Sequence, residues 1–264
     1  MRYWKVIVLV LFLASCKNDE PKDVIDTSQA KTLAQYLFLD VFRQVVAVVP
    51  EYVADETISG SNIIGSSSVS LDSDTYPKTI TLNYGSTNQQ DAFGINRRGK
   101  IQISILSDKV TKGDMKIMFD DFYLNDTRVL GELSSSYVGS STSDDYNLVL
   151  VDPCKIANAN GTMSYSGSWS IKMRSGKSTF NVFDDTYTLN EQTTGQDFGG
   201  RSYKANSTTD YTLDFSCRWI VVAGTGEVKP NDISDQKLDM GSGNCDGIVE
   251  AEVSKDQFIS FQIK

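Results

Sequence analysis

The spacing of apolar residues changes once along this chain. Over 28–49 Leu33, Leu37, Val41, Val45 and Val48 recur at helical spacing, and Ala34, Phe38 and Phe42 widen the stripe. Thr27 or Ser28 opens the segment, and Pro50, which lacks the amide hydrogen that a helix needs, follows it. This pattern predicts one amphipathic helix over 28–49, covering a face or an edge of the core. Residues 50–77 are rich in Ser, Gly and Asp and read as loop.

Beyond Tyr76-Pro77 the period falls to two. Ile80, Leu82 and Tyr84 alternate with polar residues, as do Ile101, Ile103 and Ile105, then Met115, Ile117 and Phe119. The clearest run is Met163 to Met173, where every even position is Ser or Lys. Tyr211, Leu213, Phe215, Cys217, Trp219, Val221 and Ala223 repeat the pattern, and Ile259, Phe261 and Ile263 close it. Roughly a dozen strands, joined by Gly, Asn, Asp and Ser turns and not by helices, exclude a βαβ fold. The expected fold is mainly β: an antiparallel meander, either a large twisted sheet or a β-sandwich, forming a single domain over 78–264. Both Trp169 and Trp219 fall on the apolar phase and are assigned to the core.

That region also carries an internal echo. Phe119-Asp120-Asp121 is matched by Phe183-Asp184-Asp185, Asp145-Tyr146 by Asp210-Tyr211, and Gly99 to Ile103 by Gly167 to Ile171. The reading is two meander units, about 99–157 and 167–223, in one sheet system.

The amino-terminal end has a different character. Arg2 and Lys5 precede the apolar run Val6 to Ala14, and Ser15 stands directly before Cys16, the order of an export signal over 1–15. The run is too short to span roughly 30 Å of hydrocarbon as a permanent helix. Leu13-Ala14-Ser15-Cys16 resembles a lipobox, which implies cleavage before Cys16 and lipid on its thiol, with residues 16–27 as a flexible tether. Lys17-Asn18-Asp19-Glu20 resembles the Lys-and-acid surface-export tag of Bacteroidota lipoproteins. The implied location is the outer membrane facing outwards, with a periplasm-facing lipoprotein as the alternative.

Charge and composition narrow the chemistry. Removing residues 1–15, which carry Arg2 and Lys5 and no acid, takes the formal charge from −9 to −11. Nucleic acid is a poor partner for such a surface. The chain has no histidine, which removes Ser-His-Asp and Cys-His catalysis and histidine zinc sites. Paired-carboxylate glycosidase chemistry survives this test, although no pair stands out. Neighbouring strand residues point to opposite faces, so Asp120/Asp121 and Asp184/Asp185 read as solvated acids and not as a Ca²⁺ site. No cofactor, metal or catalytic residue is nominated.

Cys154, Cys217 and Cys245 remain after lipidation. Folding the chain about the Pro230-Asn231-Asp232 turn brings Cys217 opposite Cys245 as a cross-strand pair, a spacing compatible with a disulfide unless a loop irregularity breaks the register. Cys154 would then be a buried free thiol.

Taken together, the lipobox and its tag, the helix, Tyr76 to Gly85, Arg98-Gly99-Lys100-Ile101, the Phe-Asp-Asp strand, Cys217-Arg218-Trp219-Ile220-Val221 and Cys245-Asp246 resemble a group of uncharacterised all-β surface lipoproteins of the Bacteroidota. That group usually has a cysteine in the segment that here reads Gly85 to Asp91, so no disulfide is expected at the first strand pair. The resemblance implies membrane attachment through Cys16 but no activity. Two function classes follow as expectations. One is a non-enzymatic binding or scaffolding module with an extracellular glycan or protein as partner. The other is a glycan-binding accessory or carboxylate-dependent glycan-active enzyme of a surface uptake system.

Overall fold

A computed structural model of the chain describes residues 21–53, 65, 68–73, 75–106, 114–137, 143–179 and 181–263. Cys16, the export signal and the first part of the tether lie outside the described residues. Pro21–Val53 form one helix, α1. Fifteen strands follow: β1 (Ser68–Leu71), β2 (Lys78–Asn83), β3 (Gln89–Gln90), β4 (Asn96–Ile105), β5 (Met115–Leu124), β6 (Thr127–Tyr137), β7 (Tyr146–Asn158) and β8 (Gly161–Ser175), then β9 (Thr186–Gln196), β10 (Ser202–Ser207), β11 (Tyr211–Asp214), β12 (Val221–Pro230), β13 (Gln236–Ser242), β14 (Ile248–Ser254) and β15 (Gln257–Gln262). They form one antiparallel sheet that follows chain order from β1 to β15, with β3 added beside β4. The strands β10 and β11 act as two halves of one broken strand between β9 and β12. The mainly β antiparallel fold is therefore the expected one, as a single sheet.

The position of α1 differs from expectation. Its side chains meet Tyr84 just after β2, Arg97 of β4, Phe119 of β5, Tyr146 of β7, Tyr165 of β8, Glu191 of β9 and Gln236 of β13. A single helix can touch strands from nearly the whole width of a sheet only if the sheet curls around it. The helix is thus the axis of the core and not a cover on one face. Lys31, Asp40 and Arg43, the polar side of the stripe in the sequence, are as buried as Leu37 and Val41. Over Val24–Val49 α1 is long and apolar enough to cross a membrane, yet 94% of its apolar window is buried inside the protein.

Three boundaries move. The helix takes in residues 21–27, assigned to the tether, because Thr27 and Ser28 bond inwards to Asp197 and Gln236 and so fix the first turns. It also continues past Pro50 to Val53, since a proline removes one backbone donor without reversing the chain. Within the segment read as loop, β1 forms by pairing with β2, from Ser68 opposite Asn83 to Leu71 opposite Ile80. Bulges bend the sheet. At Gly99 (φ +83) an added Cβ would stand 2.0 Å from the Asp121 carbonyl oxygen, so only glycine allows this approach of β4 to β5.

The two Phe-Asp-Asp segments take different local structures. Phe119 to Asp121 belong to β5, whereas Val182–Asp184 form a 3-10 turn ahead of β9. Asp185 then accepts from the Tyr187 hydroxyl at 3.0 Å. At this pair the echo in sequence does not extend to equal elements.

Candidate functional site

Two buried ion clusters fix α1 in the roll. In the first, Asp40 accepts from Arg97 Nε and Nη2 and from Arg43 Nη2 at 2.7 Å. Arg97 also binds Asp91 at 2.6 Å, and Arg43 Nη1 donates to the carbonyls of Phe215 and Cys217 at 3.2 and 3.0 Å. Burial pushes the Asp40 carboxyl up, but Arg97 and then Arg43 more than offset this and hold its pKa below the usual carboxylate value. In the second cluster Glu191 pairs with Lys31 and accepts from Gln35 at 3.0 Å and Tyr165 at 3.2 Å. Burial, and then the Glu191 charge, push the hydroxyls of Tyr165, Tyr203 and Tyr211 upwards.

Cys217 and Cys245 form a disulfide, with Cα atoms 5.3 Å apart. They are not cross-strand neighbours: Cys217 lies in the loop after β11 and Cys245 in the loop before β14. The β12/β13 register pairs Val228 with Gln236 and slips at Ala223, so strand pairing alone does not bring the two cysteines together. Their loops meet because Gly247 packs on Trp219, which in turn lies 5.3 Å from Tyr36 of α1. Cys154 is buried and outside the disulfide, its thiol donating to the Glu132 carbonyl at 3.3 Å.

The paired acids meet separate partners. Asp120 meets Lys100 at 3.0 Å, Asp121 meets Arg128 at 3.1 Å, and Asp184 accepts from Thr179. Among the described residues no group of three or more His, Cys, Asp or Glu gathers as a metal site. Trp169 and Trp219 are both buried and form no exposed aromatic row.

Two concavities bear on function. A cleft of about 670 Å³ lies where α1 is least covered, between Ala30, Leu33, Phe198, Phe261 and Ile263. Its buried carboxylate, Asp197, already accepts from Thr27 at 2.6 Å and from the Gly199 and Arg201 amides at 2.9 Å. A larger groove of about 1070 Å³ lies on the outer face of β7 to β10. Its registers align outward side chains into rows. Val149 faces Ser168, Ser168 faces Gln192 and Gln192 faces Asn206. In the second row Ser166 faces Thr194 and Thr194 faces Lys204. The sequence carried a trace of this groove in the Ser positions of 163–173, but an alternating pattern gives the outward face and not its curvature. No family model matches this chain, and no curated protein or solved structure does either.

Proposed function

We propose that this chain is a lipid-anchored outer-membrane protein, facing the cell exterior and acting as a non-enzymatic binding module. The order of charged, apolar and small residues before Cys16, with the Lys-and-acid tag behind it, supports the anchor. One observation carries the choice of binding over catalysis. The side chains of Asp40, Asp91, Asp197 and Glu191 are at most 4% exposed and each already meets a cation, while the groove on the outer face of β7 to β10 presents hydroxyls and amides. Acid–base hydrolysis needs two carboxylates open to a substrate. Groups already bound to arginine and lysine inside the roll are spent on the fold.

The test compares the native chain with Cys16→Ala in cells treated with globomycin and external protease. Protein that is globomycin-sensitive and cut on intact cells supports the reading. Full protection from protease, with Cys16→Ala behaving like the native chain, overturns it. A glycan-binding role is the second reading, favoured by the groove on β7 to β10.

A further inference from the structure

We infer that the outer groove of β7 to β10 binds an acidic polysaccharide, laid across the strands. The inference rests on the second reading above and names its ligand class. Five large apolar side chains are exposed among the described residues, and two of them, Val149 at 46% and Val151 at 38%, line this groove. They form an apolar wall on β7, suited to the C–H face of a sugar ring. Beside the wall stand Ser168, Gln192 and Thr194, exposed hydroxyl and amide groups that point away from the core. Strands lie about 4.8 Å apart, close to the length of one sugar ring, so successive residues along a row can meet successive sugars. Glu191 also lines the groove, but its carboxylate faces inwards and is paired with Lys31.

The charge at the far end sets the ligand's sign. Lys204 is exposed and forms no ion pair among the described residues, and Lys229 is its cross-strand neighbour on β12. The ammonium of Lys229 is held by Glu227 at 2.8 Å, which leaves Lys204 to meet a carboxylate or sulfate. Other ligand classes fit less well. The groove is an interior stretch of sheet with every strand paired on both sides, so a peptide cannot add as a strand. It presents no aromatic ring for stacking a base.

The experiment measures binding of the purified full chain, in detergent, to three probes: an alginate oligosaccharide, a heparin oligosaccharide and neutral dextran. Acidic probes should bind and dextran should bind at least tenfold more weakly. Lys204→Gln and Ser168→Trp, both at exposed positions, should each weaken the acidic probes at least tenfold, while Lys155→Gln, an exposed lysine of β7 outside the groove, should leave binding unchanged. Absence of binding by both acidic probes overturns the inference, as does equal loss with Lys155→Gln. Dextran bound as tightly as the acidic probes overturns the inference and leaves the glycan-binding reading standing, whereas absence of binding by all three probes removes both.

Discussion

Asp40 of α1 holds Arg97 of β4 through three hydrogen bonds of 2.8 to 3.1 Å, and neither side chain is exposed. The same carboxylate binds Arg43, so one anion balances two guanidinium groups with help from Asp91 and two backbone carbonyls. Removing it leaves charge stranded in a medium that solvates it poorly.

Asp40→Ala should therefore destabilise the fold by about 3–5 kcal/mol, the range for breaking a buried pair from one side. Because the folded pKa of Asp40 lies below its unfolded value of about 4, its contribution is present above that pH and lost as pH falls through the folded value. Urea denaturation between neutral and acid pH checks both points. A variant as stable as the native chain, or one whose stability falls as steeply in acid, would show that Asp40 is not the balancing charge.

The architecture of the sheet was legible in the chain because each strand buries one face, and the alternation of Met163, Tyr165, Trp169 and Ile171 with Ser reports that directly. The place of the helix was not. Lys31, Asp40 and Arg43 give no sign of burial in the sequence because their partners Glu191, Arg97 and the Phe215 and Cys217 carbonyls are distant along the chain. A buried salt bridge leaves no periodic trace. The groove was hidden for a related reason: Val149, Ser168, Gln192 and Asn206 become neighbours only through register, and bulges set the curvature.

The Cys217–Cys245 bond closes a loop with a sequence separation of 28. A loop of that length corresponds to about 3.5 kcal/mol in the chain-entropy account. Cys245→Ser, paired with Cys217→Ser, should lower stability by that order. Thermal melts with and without reductant test this, and identical melting temperatures would reject it.

Gly247 and Trp219 join the two cysteine motifs into one unit. An added Cβ at Gly247 would stand 2.5 Å from the Trp219 ring, whereas at Gly243, which also has positive φ, nothing lies within 4 Å. Gly247→Ala should cost about 1–3 kcal/mol more than Gly243→Ala, since both carry backbone strain and only one overpacks the core. Parallel urea melts of the two variants give the difference directly. Equal losses would mean that the Trp219 contact yields freely.

Tyr36, Tyr84, Tyr146, Tyr165, Tyr187, Tyr203 and Tyr211 all have hydroxyls pushed upwards, burial being the largest cause in each. Their folded pKa values exceed the unfolded value of about 10. The stability linked to their neutral form is thus complete below that pH and is lost as pH rises through the folded values. An alkaline titration followed by tyrosinate absorbance should therefore show these buried hydroxyls ionising together. That step should be cooperative and coincide with loss of the β-sheet circular dichroism signal, because the sheet must uncurl from α1 before these rings reach water. Gradual ionisation near the unfolded pKa with the sheet signal intact would contradict a sealed core around the helix.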